Sequence, residues 1–221
     1  MNEKQRLLSN RLDGLKKTFG RLGDLILINL FFIICSLPIV TIGAAESACY
    51  SYLLKVTRGD DHRTPFASFF TDFAKSFKRA TPAWLLQLLC MVILAGDFYY
   101  AAFLCEPKNT FFLVFSVVLG FVLLCASVWL FPLIARYDNS LKGHLKNSLL
   151  MSVAHFPKTV LLVVVWVVCI FFPLISQEIL YYFGWIWLML GFSLPMYLTV
   201  LLLRKPLSNE AKAESDEPTE D

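Results

Sequence analysis

Two carboxylates lie in or beside apolar stretches of this chain, and they are the side chains best placed to support chemistry. Asp97 lies near the end of one apolar run, and Glu46 follows Pro38 and Gly43 in the segment ICSLPIVTIGAAESACY. A carboxylate near the centre of a bilayer costs roughly 2.5–3.5 kcal/mol, so its presence there indicates a purpose. The chemistry open to both groups is contact with an ion or a solute, or exchange of a proton.

Each carboxylate also has a structural interpretation. Asp97 lies about 21 Å from the inner end of its predicted helix, and Tyr99 and Tyr100 follow it as an interfacial belt would. Glu46 is flanked by small residues, and it could bond backbone groups that a bend at Pro38 leaves free. Each residue therefore has two interpretations. Asp97 is either solvated at the outer interface or in contact with a solute or ion, and Glu46 either bonds backbone groups or takes part in such a contact.

A third polar group, made of Arg136, Asp138 and Asn139, follows the apolar run 111–135. An arginine at the end of a membrane span can anchor to lipid phosphates. An Asp or Asn in the same place can cap the helix that comes next. Lipid anchoring and helix capping are the roles expected for this group.

No recognisable catalytic or cofactor motif accompanies these residues. The six cysteines have no paired spacing, and the three histidines lie in predicted loops away from any paired carboxylate. Motifs for zinc proteases, phosphate-binding loops and serine hydrolases do not occur. The sequence therefore predicts no enzyme, no cofactor and no metal site.

Composition places the chain in a membrane. Hydrophobic residues make up 57% of it, charged residues only 17%, and the mean hydropathy is +0.62. A membrane-spanning helix needs about 20 mostly apolar residues, and four segments approach this length. The predicted fold is an all-α polytopic membrane bundle with clear spans at 83–104, 111–135, 159–176 and 179–203.

A further apolar region near the N-terminus is predicted to be a broken hairpin, with arms at 25–40 and 42–57. Pro38 interrupts the helix ladder and Gly43 loosens the bend. With the hairpin, 19 of the 20 Lys and Arg residues fall on one side, which the positive-inside rule assigns to the cytoplasm with both termini. Because arms of about 15 residues reach only about 22 Å, the hairpin is predicted to be re-entrant; a single crossing remains the alternative.

Amphipathic basic segments are predicted at 1–24, 64–80 and 139–156, with Thr64 as the N-cap of the second and Pro65 in its first turn. The second carries a phenylalanine stripe, and its charged residues are assigned to the opposite face. This stripe could lie among lipid headgroups, dock a partner protein or fold under the bundle. The stripe consists of Phe66, Phe69, Phe70, Phe73 and Phe77, and the charged face of Asp72, Lys75, Lys78 and Arg79.

The C-terminal segment 206–221 is acidic and lacks large apolar residues, so it is predicted to be disordered. The net charge of the whole chain is only +3, and its basic residues lie close to the ends of apolar segments. Membrane lipids therefore explain these residues better than nucleic acid does.

The region from Phe19 to Leu86 resembles the YesL family of bacterial membrane proteins, and the similarity extends over about residues 15–205. It rests on GDLILINLFFIICSLPIVTIG, on FFTDFAKSFKRA and on LIARYDNSLKGHLKNSLL. The resemblance implies a bacterial cell-membrane protein whose relatives often accompany genes for carbohydrate uptake and breakdown. It transfers no catalytic or binding residue, and it places Glu46 where the family varies.

From this resemblance the expected function is that of a non-enzymatic accessory or regulatory membrane protein, with a sugar importer permease or another membrane protein as a partner. The alternative is a small transporter or channel for a neutral solute, with a path lined by Asn29, Gln87 or hydroxyl side chains. The four clear spans contain only Asp97 as an internal charge, so a charged or proton-coupled pathway has few groups to use.

Overall fold

A computed structural model describes the backbone of residues 3–59, 64–104 and 110–203. It describes the side chains of residues 20–59, 64–103 and 110–203. Most side chains of the amphipathic segment predicted at 1–24 lie outside the described side chains, and the acidic tail 206–221 lies outside them entirely. The described part is an all-α bundle without strands. Its helices are α1 Glu3–Ser36, α2 Ile42–Arg58, α3 Pro65–Tyr99, α4 Thr110–Arg136, α5 Leu141–Ala154, α6 Phe156–Phe171, α7 Gln177–Leu190 and α8 Ser193–Leu203.

Three stretches of this bundle are long and apolar enough to cross a membrane: Pro65–Phe103, Thr110–Arg136 and Phe156–Leu174. A fourth crossing results if α7 and α8, which meet at an angle of 52°, together form one span. The prediction of a polytopic helical membrane bundle is confirmed at this level.

Helices α1 and α2 form an antiparallel hairpin. The chain leaves α1 at Ser36 and enters α2 at Ile42, and Leu25 and Tyr52 then line the same small cavity from the two arms. Pro38 lies in the break with extended backbone angles, φ −76° and ψ 114°. The chain therefore turns back on itself at the position that the proline indicated.

The hairpin lies beside the amphipathic half of α3. Gly43 of α2 adjoins Ala80 and Trp84, and Ser51 adjoins Asp72, so α2 runs antiparallel to residues 72–84. The tip of the hairpin reaches only the level at which the long apolar stretch of α3 begins.

Helix α3 is continuous where the sequence pattern predicted two elements, 64–80 and 83–104. Thr64 caps it by accepting a hydrogen bond from the Ala67 amide, and Pro65 occupies its first turn, as predicted. Pro82 lies inside the helix and is exposed. Because the side of the helix that loses a backbone hydrogen bond faces outward, the chain continues as a single helix.

The core of the bundle is built on small side chains of α2. Ala44, Ala45 and Ser47 are fully buried. Among the described helix pairs, α2 and α3 have the most extensive contact. Small residues allow helix backbones to approach closely, as predicted for this segment. Gly59, with φ 81°, ends α2 in a left-handed conformation that favours glycine.

The phenylalanine stripe of α3 is divided between the core and the surface. Phe69 is fully buried and contacts Phe31 of α1, whereas Phe66, Phe70 and Phe77 remain exposed. The stripe is therefore in part a packing face against the hairpin, and only its margin is open to lipid or another surface.

A buried amide holds the break between α7 and α8. Asn29 of α1 donates to the Leu188 carbonyl at 2.7 Å and accepts from the Phe192 and Ser193 amides at 3.0 and 2.8 Å. These are backbone groups that the interruption leaves without helical partners. The single segment predicted at 179–203 is therefore two helices, and Asn29 is a structural clamp in this position.

Candidate functional site

A cavity of about 470 Å³ lies between α2, α3, α4 and α6. Three polar side chains line it, Glu46, Gln87 and Ser127, and the indoles of Trp84 and Trp166 are among its aromatic walls. Exposed aliphatic residues of α4 and α6 form part of its rim, so the cavity is open at the side. We call this cavity the Glu46 cleft.

The position of Glu46 depends on the close approach of α2 to α3. A Cβ atom added at Gly43 would lie 2.5 Å from the Trp84 Cβ and 2.7 Å from the Ala80 carbonyl oxygen. Glycine is therefore required for contact in the first turn of α2, and it does not loosen the bend as predicted. Because the two helices touch here, the next turn of α2 brings Glu46 among the side chains that line the cleft.

Three carbonyl groups at the bend are bonded by side chains other than Glu46. The Thr41 hydroxyl lies within hydrogen-bond distance of the Cys35 and Pro38 carbonyls, and the Trp84 indole donates to the Ile39 carbonyl at 2.8 Å. The hydrogen bond expected from Glu46 to this backbone is therefore made by other side chains.

Glu46 is half-buried, and within the described ranges its carboxyl group has no hydrogen bond and no ion pair. One turn further along α2, the side chain of the buried Tyr50 lies beside those of Trp166 and Thr199. Tyr50 thus lies where α2 meets α6 and α8, while the carboxyl group of Glu46 remains open to a ligand or water.

A hydrogen-bonded pair forms the opposite polar wall. The Gln87 amide donates through Nε2 to Ser127 Oγ, and that hydroxyl donates to the Leu123 carbonyl at 2.7 Å. Because the only proton of Ser127 is already used, Gln87 must present its NH₂ group to it. The Gln87 Oε1 atom is consequently buried with no partner in the described part of the chain.

A second interior carboxylate, Asp72, was assigned by the sequence pattern to the exposed charged face, and that assignment is wrong. Asp72 is 5% exposed and accepts hydrogen bonds from Ser51 at 2.9 Å and from Lys55 at 2.5 Å. Ser51 and Lys55 are four residues apart on α2, so both reach the same carboxylate. This spacing was the one signal in the sequence that could have located the ion pair.

Asp97 lies apart from the Glu46 cleft. It is exposed in the last turns of α3, and Tyr99 and Tyr100 beside it are also exposed. Interfacial solvation therefore stays the prediction for Asp97. The structure brings no described polar side chain against it to form a site.

The group after α4 is a helix connection. Arg79 of α3 pairs with the exposed Asp138, and Arg136 lies 5.4 Å from the centre of the Tyr137 ring. The N-cap of α5 is Ser140, which accepts from the Gly143 amide at 3.2 Å, and neither Asp138 nor Asn139 takes that role. The cap was predicted at Asp138 or Asn139, one or two residues before its actual position at Ser140.

His144, which the sequence pattern placed in a loop, is buried in α5 near this connection. Burial lowers the pKa of His144, the nearby Arg79 guanidinium lowers it further, and a hydrogen bond with the Asn139 backbone opposes both effects. The imidazole therefore favours its neutral form, and it serves packing between α5 and the connection. No three described His, Cys, Asp or Glu side chains form a group that could hold a metal ion.

Comparison with known proteins gives a match to a family model over part of the chain. Residues 25–98 match a family model described as "Protein of unknown function, DUF624", which covers the hairpin and most of α3. No curated protein and no solved structure matches the chain. The matched region includes Glu46, Trp84 and Gln87, but Ser127 and Trp166 lie beyond it.

Proposed function

We propose that this chain is a non-enzymatic accessory or regulatory protein of carbohydrate uptake, and that a small neutral solute binds in its Glu46 cleft. The carbohydrate link rests on the resemblance to the YesL family alone. The match of residues 25–98 to an uncharacterised family is consistent with that resemblance and carries no information about carbohydrate. The proposed partner is the permease of a sugar importer.

The observation that carries the proposal is the chemistry of the cleft. Gln87 Oε1 is an acceptor without a donor, and the Glu46 carboxyl group likewise has no described partner. Buried acceptors that lack a donor favour ligands that supply one. A solute bearing several hydroxyl groups supplies such donors, and its C–H faces pack against the indoles of Trp84 and Trp166.

Orientation is part of the proposal. Placing the hairpin and the basic segments on one side puts 19 of 20 Lys and Arg residues in the cytoplasm, together with both termini. A bacterial cell membrane is the setting that the family resemblance implies. In this orientation Glu46, near the tip of the hairpin, lies at the cytoplasmic end of the spans.

An accessory role is favoured over transport by the distribution of polar groups. Beyond Gln87 and Ser127, the apolar stretches of α3 and α4 continue for several turns toward the other end of the bundle. In the described part of α4 beyond the cleft, Ser116 is buried but donates to the Phe112 carbonyl of its own helix. A solute crossing the membrane would need further polar contacts along this route.

The deciding experiment has two arms performed on the full-length protein. After mild detergent extraction, an importer permease should co-purify reproducibly, and Gln87→Leu should leave this assembly intact. Purified wild-type protein should bind one of glucose, maltose or sucrose in a titration followed by tryptophan fluorescence, and Gln87→Leu should weaken binding about tenfold, the effect of about 1.4 kcal/mol.

The opposing outcomes are distinct. Uptake of the bound sugar by the reconstituted protein alone would show a transporter and refute the accessory role. Absence of binding for all three sugars, with no permease recovered, would refute the proposal as a whole.

A further inference from the structure

A second, smaller cavity of about 100 Å³ lies between α3, α4 and α5. Cys90 of α3 and Leu145 and Leu149 of α5 contribute to its apolar walls. Gln87 and Ser127 line this cavity as well as the Glu46 cleft. The hydrogen bond between these two side chains therefore separates the two spaces. We call the smaller space the α5 chamber.

We infer that the Gln87–Ser127 hydrogen bond is a movable partition, and that breaking it joins the Glu46 cleft and the α5 chamber into one space. This inference rests on the proposed function in one respect only, that the cleft is a solute site. The partition then determines whether a solute in the cleft is sensed at α5.

The chemistry of the pair makes it easy to open. Ser127 Oγ already donates to the Leu123 carbonyl, so Gln87 is held to it by a single Nε2–H bond. The other end of the same amide, Oε1, is buried without a described partner. A donor that enters the cleft and binds Oε1 offsets the loss of the bond to Ser127, so the amide can turn at little net cost.

Helix α5 is placed to respond when the Gln87–Ser127 hydrogen bond opens. Its inner face closes the α5 chamber through Leu145, Ser148 and Leu149, while Lys142 and Lys146 are exposed on its outer side. Occupancy of the cleft can therefore alter the packing of a basic surface helix without any movement of the spans themselves.

Cys90 provides a direct test, because its free thiol lies on the α5-chamber side of the partition. The full-length protein is treated with N-ethylmaleimide, and modification at each cysteine is followed by peptide mass spectrometry. Ser127→Ala removes the acceptor of the Gln87 bond and should raise the Cys90 modification rate about fivefold, which corresponds to about 1 kcal/mol in the opening equilibrium. Gln87→Ala should raise it at least as much.

The chain offers a matched control. Ser116 lies on the same helix, is buried and donates to the carbonyl four residues earlier, as Ser127 does, but it lines neither cavity. Ser116→Ala should leave the Cys90 rate unchanged, and Cys169, which lines a separate apolar groove, should react equally in all variants. Adding Leu124→Trp at the rim of the cleft should return the Ser127→Ala rate toward that of the wild type.

Two results would overturn the inference. An unchanged Cys90 rate in folded Ser127→Ala and Gln87→Ala proteins would show that the pair separates nothing. An equal increase in Ser116→Ala would show general loosening of α4. Because this test uses no sugar and no permease, its result does not depend on solute binding, and a failure of the partition can be distinguished from a failure of the proposed function.

Discussion

Glu46 and Asp72 are both carboxylates in the interior of the bundle, on the helix pair α2 and α3, yet their surroundings differ. Asp72 accepts hydrogen bonds from Ser51 and Lys55 of the facing helix. Glu46 borders an open cleft and has no described hydrogen-bond or ion-pair partner. One carboxylate completes the packing of a helix pair, and the other is left available for a ligand.

Helical geometry explains the difference. Ser51 and Lys55 lie about 140–180° around α2 from Glu46, at about 100° per residue, so the donors that satisfy Asp72 face away from Glu46. The same helix therefore satisfies one acid of the interior while directing its own acid toward α4 and α6. A buried carboxylate that is hydrogen-bonded to the facing helix indicates a structural role. An unpaired carboxylate that lines a cavity is a candidate for a functional role.

The largest effect is expected at Gly43, because the contact between α2 and α3 positions both carboxylates. Gly43→Leu would overlap the Trp84 Cβ and the Ala80 carbonyl, and it should lower the free energy of unfolding by about 3 kcal/mol. Thermal unfolding in detergent measures this loss. Gly96→Leu is the control, since a Cβ at Gly96 meets nothing within 4 Å. Equal tolerance of both changes would contradict the close contact.

A smaller loss is expected when the paired carboxylate is neutralised. Asp72→Asn should lower the free energy of unfolding by about 2 kcal/mol, less than for a fully buried pair because the Lys55 side chain is 39% exposed. The matched control is Asp138→Asn, whose carboxylate is 85% exposed, and it should change stability by at most about 0.5 kcal/mol. Similar losses in the two variants would remove the distinction between buried and exposed pairs.

Much of the fold could be predicted because its signals are local. Apolar length gives the spans, Pro38 gives the break, and Thr64 with Pro65 gives the start of α3. The continuation of α3 through Pro82 could not be predicted, since it depends on which side of the helix faces outward. Likewise, nothing near Asn29 in the sequence indicates that it clamps backbone more than 150 residues away.

The candidate site was predicted only in part. Glu46 was selected because a carboxylate among small apolar residues is unusual, and the cleft places it where a ligand could reach it. Gln87 was named only as a possible lining residue, and Ser127, Trp84 and Trp166 were not selected, because hydroxyls and indoles are common in apolar helices. Their convergence is a property of how α3, α4 and α6 pack, which no local pattern encodes.

The smallest change in stability is expected at Glu46. Comparing Glu46→Gln with Asp72→Asn tests directly whether the two carboxylates differ in their partners. Glu46→Gln is the same acid-to-amide change as Asp72→Asn, but it removes no described partner, so the free energy of unfolding should change by at most about 0.5 kcal/mol. Sugar affinity in the fluorescence titration should change little, because Gln retains an acceptor. Glu46→Leu removes that acceptor and should weaken binding about tenfold. If Glu46→Gln destabilised the protein as much as Asp72→Asn, Glu46 would have a structural partner, and the cleft would lose its free carboxyl group.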